Sequence, residues 1–241
     1  MFCRLSYETD IRSSQCDYSG RLGVAQCFDL FMDLATQHAD ALGIGRKRLD
    51  AEGLAWVITK SIVKIYRMPE MSERVEVATW PAEPSRVHCD RFYTLKDSDG
   101  KLLACGKTEW VNMDLNTGRL SPVARLFSED TEFCTECPVP ESFTRIKGEF
   151  PAEPFASHPV RTGDLDVNRH VNNTKYVYAL LDCFDTAELK ARPVKAMEVL
   201  YKNQAREGDT LEFFRRTSGD GAEEYRVTDG QDTAVFAKIW R

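Results

Sequence analysis

The hydrophobic and polar positions of this chain follow two periods, one typical of a helix and one typical of a strand. Over residues 22–42, apolar side chains recur every three to four positions, which is the spacing of one buried helix face. Gly43 and Gly45 follow at the place where glycine commonly ends a helix. Residues 3–10 have the character of a strand. The chain is therefore predicted to begin with a strand and one long amphipathic helix.

Strand-like segments follow this helix. They are rich in β-branched and aromatic residues and cover residues 55–59, 61–65, 75–80, 87–95 and 102–113. The last two are separated by residues 97–100, Asp-Ser-Asp-Gly, which is a strong hairpin signal. The basic run 46–48 that precedes the strands is expected to be a solvated loop. A long helix beside antiparallel strands predicts an α+β layer.

The second part of the chain repeats this order. Residues 17–22 and 166–171 begin at an offset of 149 residues (17 to 166), and each precedes an amphipathic helix and then strands. The later strands are predicted at 194–203, 209–216, 223–228 and 233–240. A proline- and acid-rich stretch lies between the copies. These features predict a first unit at 1–120, a linker at 121–154 and a second unit at 155–241.

Composition narrows the class of protein. The 241 residues are 42% hydrophobic and 29% charged, which is ordinary for a globular protein. The chain has no apolar run of about 18 residues and no secretory signal, so we expect a cytoplasmic protein without a membrane span. The net charge of −6 argues against general nucleic-acid binding.

The cysteines do not predict a metal site. Cys134 and Cys137 form a single CxxC, and no second ligand pair follows at the spacing that zinc requires. The scattered cysteines are expected to be small core residues; they are Cys3, Cys16, Cys27, Cys89, Cys105 and Cys183. We therefore expect no metal and no disulfide framework.

The polar stretch before the second helix carries the candidate chemistry. If residues 166–170 are extended, Asp166, Asn168 and His170 project to one side, because side chains alternate along a strand. Asn172 or Asn173 is a good N-cap for the helix that follows. The free N–H groups of its first turn would then favour a developing oxyanion. The alternative is an Asx-rich turn that only caps a helix.

Residues 166–176 resemble the active-site motif of acyl-acyl-carrier-protein thioesterases, and the resemblance covers most of the chain. It implies two tandem hotdog units, each a long helix wrapped by an antiparallel β-sheet. It also implies hydrolysis of the thioester of fatty acyl-acyl-carrier protein without a cofactor or metal. The partner would be acyl carrier protein with its phosphopantetheine-linked acyl chain.

The resemblance assigns roles to the motif. His170 would act as a base or position a water, and its reference pKa of about 6.5 suits proton transfer near neutrality. Asn168 would donate to the thioester oxygen or hold the histidine tautomer. Asp166 would orient these groups or act as the base itself.

One part of the family pattern is missing. The family usually carries a Glu, often followed by Cys, on a later strand, and the matching positions here are Gln204 and Ala205. Gln204 can position a water but cannot take a proton. The base would then be one of the motif residues or a nearby acid such as Glu207 or Asp209.

Two further groups have weaker support. An acyl pocket in the first unit is predicted to be lined by Trp56, Ile58, Ile62 and Trp80, although these residues could equally be ordinary core. Carrier docking is predicted at Arg192, Lys195, Lys202 and Arg206, because residues 190–206 hold five basic residues against one acid. A solvated strand with long basic side chains would give the same pattern.

Other functions remain open at this point. An acyl-coenzyme A thioesterase of the same fold offers the same thioester to the site. A non-catalytic acyl-binding protein is favoured only by Gln204. A hotdog dehydratase is disfavoured because the sequence offers no second histidine–acid pair. Exposed sheet edges leave a homodimer open.

Overall fold

The computed structural model describes residues 3–241, and the chain divides into two compact units, Met1–Glu141 and Ser142–Arg241. Each unit is a single antiparallel sheet with helices on one face. Within the described residues, every helix is too short or too polar to cross a membrane.

The first unit contains one long helix and most of its strands come after it. Its elements are β1 (Leu5–Asp10), α1 (Val24–Ala41), α2 (Arg46–Glu52), β2 (Leu54–Ile65), β3 (Arg74–Pro81), β4 (His88–Asp97), β5 (Leu102–Asp114) and β6 (Arg119–Ser121). The strand order is β1-β3-β4-β5-β2, and β6 pairs with β5. This order, a strand, then helices, then several strands, agrees with the order predicted from the spacing of apolar residues.

The second unit repeats this plan on a smaller scale. Its elements are β7 (Ala156–Pro159), α3 (Asn173–Leu181), α4 (Thr186–Ala191), β8 (Ala196–Tyr201), β9 (Thr210–Thr217), β10 (Glu223–Thr228) and β11 (Thr233–Trp240). The strand order is β8-β11-β10-β9-β7. β7 and α4 were not predicted, because segments of four and six residues are too short to show a period.

The apolar stripe of α1 explains how the helix sits on its sheet. Phe31 stacks on Tyr93 of β4 with ring centroids 4.9 Å apart, and the Phe31 ring crosses Gly106 of β5. His38, one turn from the end of α1, is buried, and its Nδ1 lies 3.0 Å from a guanidinium nitrogen of Arg91. It is therefore a core histidine. The predicted α+β class, with a sheet wrapped around a helix, is confirmed.

The opposite face of each sheet is covered by the proline-rich segment between the copies. In the first unit, Trp80 Nε1 donates to the carbonyl of Glu136 at 2.9 Å, and Lys107 donates to the carbonyl of Glu141. In the second unit, the buried carboxylate of Glu198 accepts the N–H of Thr144 at 2.7 Å. The covering segment therefore supplies backbone partners to buried polar side chains of both sheets.

Two local predictions in the first unit were wrong. The basic run 46–48 is part of α2, where Arg46–Asp50 and Arg48–Glu52 form i,i+4 ion pairs at 3.2 and 2.8 Å. The segments 55–59 and 61–65 form one strand rather than two. A bulge near Thr59 shifts the pairing register of β2 with β5. The alternation of side chains is interrupted there, which is why the sequence suggested two strands.

One cysteine prediction was also wrong. Cys3 is not a core residue but is joined to Cys134 by a disulfide across a separation of 131 residues, with Cα atoms 6.0 Å apart. No local spacing reports a pairing over such a distance. Cys27, Cys89 and Cys105 are buried thiols, as expected of small core residues.

The close approach of α1 to Gly106 gives a test of this packing. A Cβ at Gly106 would lie 3.0 Å from the Phe31 ring and 3.2 Å from the carbonyl oxygen of Ile62. We predict that Gly106→Ala lowers the free energy of unfolding by about 1–3 kcal/mol through overpacking. Urea unfolding would measure it. Gly219→Ala is the control, because a Cβ there meets no atom within 4 Å; equal losses in both variants would contradict the packing argument.

Candidate active site

The polar stretch before α3 is a tight turn. The N–H of Arg169 donates to the carbonyl of Asp166 at 3.0 Å, and the N–H of Asp166 donates to the carbonyl of His170 at 2.8 Å. Val167 lies at the tip and is 76% exposed. The prediction of an extended segment was wrong, because aspartate and asparagine bond their own backbone and favour a reversal over a strand.

Asp166 holds this turn with both carboxylate oxygens. Its Oδ1 accepts the N–H groups of Asn168 at 2.8 Å and His170 at 3.2 Å, and its Oδ2 lies 3.4 Å from Nδ2 of Asn168. The carboxylate thus fixes the backbone on both sides of the turn and contacts the side-chain amide of Asn168. Its geometry is that of an orienting group.

His170 is half-buried and its imidazole is only partly engaged. Its backbone forms a β-bridge with Arg206, and the next residue, Val171, donates its N–H to the carbonyl of Ala205 at 2.9 Å. The Nδ1 atom is buried, and it has no hydrogen-bond partner within the described part of the chain. Buried polar atoms without partners are rare and often mark a place where a substrate or water binds.

The start of α3 is capped by one of the two predicted asparagines. Asn172 is the N-cap: its Oδ1 accepts the N–H of Thr174 at 2.9 Å and the hydroxyl of the same residue at 3.1 Å. The N–H of Lys175 donates to the carbonyl of Asn172. Within the described residues, the N–H of Asn173 at the helix start has no acceptor among these contacts. It is therefore the candidate for the predicted oxyanion donor.

Gln204 lies just beyond β8 and is exposed. The next residue, Ala205, is buried, and its N–H donates to the hydroxyl of Tyr176 at 3.0 Å. Of the two nearby acids, Asp209 is engaged as a turn cap, because its carboxylate accepts the N–H of Arg206 at 2.7 Å. Glu207 is exposed at the tip of that turn. Gln204 and Glu207 flank the two residues, Ala205 and Arg206, that pair with the His170 turn.

The first unit contains the same turn without the same side chains. The N–H of Asp17 donates to the carbonyl of Arg21 at 2.8 Å, and the carboxylate of Asp17 accepts the N–H of Ser19 at 2.8 Å. Arg21, at the place of His170, forms an ion pair with Glu70 at 2.7 Å. The internal repeat thus extends to individual hydrogen bonds, while the amide and the imidazole occur only in the second copy.

The four residues predicted for the acyl pocket do not share one face of the sheet. Trp56 and Ile58 face α1, whereas Ile62 and Trp80 occupy the opposite face, because the bulge near Thr59 reverses the alternation along β2. A single pocket lined by all four was therefore the wrong prediction. Trp56 and Ile58 remain candidates on the helix side.

Trp56 and Trp80 also have structural roles. Trp56 Nε1 donates to the carbonyl of Ile44 at 2.9 Å, in the connection between α1 and α2. The Trp80 ring is fully buried under the covering segment, and the guanidinium of Arg4 lies 4.4 Å from its centroid. Trp80 is thus an ordinary core residue, and half-buried Trp56 also braces the connection between α1 and α2.

The predicted docking residues separate into two pairs. Arg192 and Lys195 precede β8, while Lys202 and Arg206 follow it, so about 23 Å of extended chain lies between the pairs. Arg192 is additionally 3.6 Å from the carboxylate of Glu223. The four residues thus lie at the two ends of β8. Arg206 is at the His170 turn, since it forms a β-bridge with His170.

A second histidine–acid pair exists that the sequence did not reveal. Nε2 of His158 lies 3.0 Å from a carboxylate oxygen of Asp164, and the same oxygen accepts the N–H of Arg161. Burial raises the pKa of Asp164, but the Arg161 N–H, His158 and Lys175 outweigh it and lower the pKa below its usual value. The carbonyl of Asp164 accepts the N–H of Asn172, so this pair supports the start of α3.

One cluster has the composition of a metal site. His88, Asp90 and Glu109 bring ligand atoms within 4.8 Å of one another on β4 and β5. Glu109, however, already pairs with Lys60 at 2.9 Å and accepts the hydroxyl of Thr59 at 2.6 Å. A cation there would have to displace an ammonium group, and we assign no metal to the cluster.

The two units with their repeated turn define a tandem hotdog protein. Its polar turn, residues 166–170, lies in the second copy. The family model for the acyl-ACP thioesterase N-terminal domain matches residues 4–130, and the model for the C-terminal domain matches residues 151–240. The chain belongs to the acyl-ACP thioesterase family. The resemblance seen in residues 166–176 is confirmed.

Individual relatives agree with this assignment. A chloroplastic acyl-acyl-carrier-protein hydrolase of Cuphea viscosissima is 25% identical over 255 residues, covering 96% of this chain and 61% of the relative. Oleoyl-acyl carrier protein thioesterase 1 of Arabidopsis thaliana is 25% identical over 260 residues, covering 98% and 72%. The chain thus spans less than two thirds of the length of the first relative and more than two thirds of the length of the second.

A solved structure has the same fold over nearly the whole chain. The acyl-ACP thioesterase of Bacteroides thetaiotaomicron superposes with a TM-score of 0.90 at 25% identity, covering 98% of this chain and 96% of that one. The two-unit architecture is therefore shared with a bacterial member of the family.

The strained residue of the turn gives a prediction. Arg169 has φ of +63°, and its counterpart Gly20 has φ of +73°. Left-handed backbone costs a non-glycine residue about 1–2 kcal/mol, partly offset by the unfolded-state entropy of glycine. We predict that Arg169→Gly raises the free energy of unfolding by about 0.5–1 kcal/mol, measured by urea unfolding.

The reciprocal change in the first turn serves as its control. Gly20→Ala should cost about 1 kcal/mol of stability from the backbone alone, since a Cβ there meets no atom within 4 Å. A loss of stability in Arg169→Gly would show instead that the arginine side chain supports the turn.

Proposed function

We propose that this protein hydrolyses the thioester of fatty acyl-acyl-carrier protein and releases the free fatty acid. The observation that supports it most is the Asp166–His170 turn, which presents an amide and an imidazole with an unpaired, buried Nδ1 beside the start of α3. The turn lies in the residues that match the family's C-terminal domain. Thioester hydrolysis needs a positioned water, a base and oxyanion donors.

His170 takes the proton of the attacking water in this proposal. The hydroxide adds to the thioester carbonyl carbon, and the carbonyl electron pair moves onto the oxygen. Collapse of this intermediate expels the thiolate, which recovers the proton from His170. Gln204 holds the water by hydrogen bonds, because its amide cannot accept the proton.

The oxyanion is stabilised by neutral donors. The free N–H of the Asn168 side chain and the N–H of Asn173 at the helix start are the groups that the turn and cap leave available. Losing one such donor typically raises the barrier by about 2.7–4 kcal/mol. Asp166 is assigned the orienting role, since both of its oxygens already contact the turn.

The carrier rather than coenzyme A is the proposed thioester donor. Lys202 and Arg206 are exposed basic residues that follow β8, and Arg206 bridges His170, so an acidic carrier protein would be attracted there. An acyl-coenzyme A thioesterase remains the alternative enzyme. A non-catalytic acyl-binding protein is the alternative from another class, and Gln204 is the feature that favours it. Rates on both thioesters, with the full chain, separate these three functions.

The catalytic assignment predicts a specific loss of turnover. His170→Ala and Asn168→Ala should each lower hydrolysis of acyl-acyl-carrier protein by about 10²-fold or more, without lowering the melting temperature. Arg21→Ala and Ser19→Ala alter the same positions of the first turn and should leave the rate within about twofold of wild type if only the second turn acts. Near-normal turnover in both second-turn variants would reject the assignment.

The docking assignment predicts a position-dependent effect of charge. Lys202→Glu combined with Arg206→Glu should raise KM for the carrier-bound substrate about tenfold, and the effect should shrink at high salt. Arg192→Glu with Lys195→Glu makes the same charge change at the other end of β8 and should have little effect. A larger rise in KM for Arg192→Glu with Lys195→Glu would instead indicate that the carrier docks at the start of β8.

A further inference from the structure

Tyr176 is a buried ionisable group that the proposed mechanism does not use. It lies in the first turns of α3, and only 3% of its surface is exposed. Its hydroxyl oxygen accepts the N–H of Ala205 at 3.0 Å. Burial raises the pKa of Tyr176 to about 12, although the Ala205 N–H acts in the opposite direction. The phenol is therefore neutral near pH 7 and keeps its own proton.

The first unit forms the same backbone junction without a tyrosine. There the N–H of Leu22 donates to the carbonyl of Pro69 at 2.9 Å, as Val171 donates to Ala205. Proline has no N–H to satisfy, and the counterpart of Tyr176 at the offset of 149 residues is Cys27. The hydrogen bond from the Ala205 N–H to the Tyr176 hydroxyl thus occurs only in the second unit, which carries the polar turn. The backbone junction itself forms without it in the first unit.

This addition immobilises one residue from both sides. The N–H of Ala205 is held by Tyr176, and its carbonyl accepts the N–H of Val171 at 2.9 Å. Ala205 links Gln204 to Arg206, and Arg206 bridges His170. The peptide that follows Gln204 is therefore fixed relative to the backbone that carries the imidazole.

We propose that Tyr176 is a positioning residue for the reaction, and that its hydroxyl fixes the Gln204–Ala205 peptide so that Gln204 and His170 hold the same water. This inference rests on the proposed function, because it assigns Gln204 to the attacking water. An amide positions a water only through the direction of its hydrogen bonds, so Gln204 depends on a fixed backbone more than a proton-accepting carboxylate would.

Tyr176→Phe is the first test. It removes the acceptor of the Ala205 N–H and keeps the buried ring. We expect kcat to fall about tenfold with KM within about twofold of wild type, because a misplaced group affects the chemical step more than substrate binding. Amide hydrogen exchange at Ala205 should accelerate. Unchanged kcat or unchanged exchange would overturn the inference.

Tyr225→Phe is the matched control. Tyr225 is a fully buried tyrosine of the same unit, and its hydroxyl donates to Glu223 at 2.9 Å rather than to the segment after β8. The kcat of the Tyr225→Phe variant should stay within about twofold of wild type if only a hydroxyl bonded to the segment after β8 matters. A similar loss in this variant would show that removing any buried hydroxyl softens the unit, and would also overturn the inference.

A double-mutant cycle asks whether Tyr176 acts through Gln204. Tyr176→Phe should cost about tenfold in the wild-type background and less than about twofold in Gln204→Ala, because the positioned side chain is then absent. The same loss in both backgrounds would overturn the inference. Absence of hydrolysis by the wild-type chain would instead reject the proposed function, so the two failures are distinguishable.

Discussion

A chain reversal held by one aspartate precedes the main helix of each unit, and the rest of the site depends on it. The carboxylate of Asp166 accepts the backbone N–H groups of Asn168 and His170, and Asp17 accepts the corresponding N–H of Ser19 in the first copy. Each bond is local, so the turn forms from neighbours in sequence. It delivers the chain to the helix N-terminus in a fixed register, which decides which side chains stand beside the free N–H of the first turn.

Three aspartates around the His170 turn accept hydrogen bonds from the backbone. Asp164 and Asp209 accept N–H groups of turns, and Asp166 does the same at the centre of the site. Because their charges are satisfied by N–H donors, these carboxylates stabilise the geometry of the turns. In the proposed reaction, the imidazole of His170 and the amide of Gln204 hold the attacking water instead.

The two copies differ in how each is strained and stabilised. Glycine occupies the left-handed position of the first turn, and Arg169 occupies it in the second at a cost in backbone energy. The second copy adds the Tyr176 contact and the His158–Asp164 pair, which the first copy lacks. Strain at one point is thus accompanied by extra hydrogen bonds around it, as is common where a loop must hold side chains in a defined direction.

The sequence by itself determined the α+β class, the main helix of each unit, most strands and the two copies, because periodicity and local turn chemistry act over neighbouring residues. It also located Asp166, Asn168 and His170, but it placed them on a strand rather than a turn. Tertiary structure decided the rest. The bulge near Thr59 separated Ile62 from Ile58, and β8 separated Arg192 from Arg206. The contacts of Cys3 with Cys134 and of Tyr176 with Ala205 join residues far apart in the chain, and no local pattern reports which distant groups a fold will bring together.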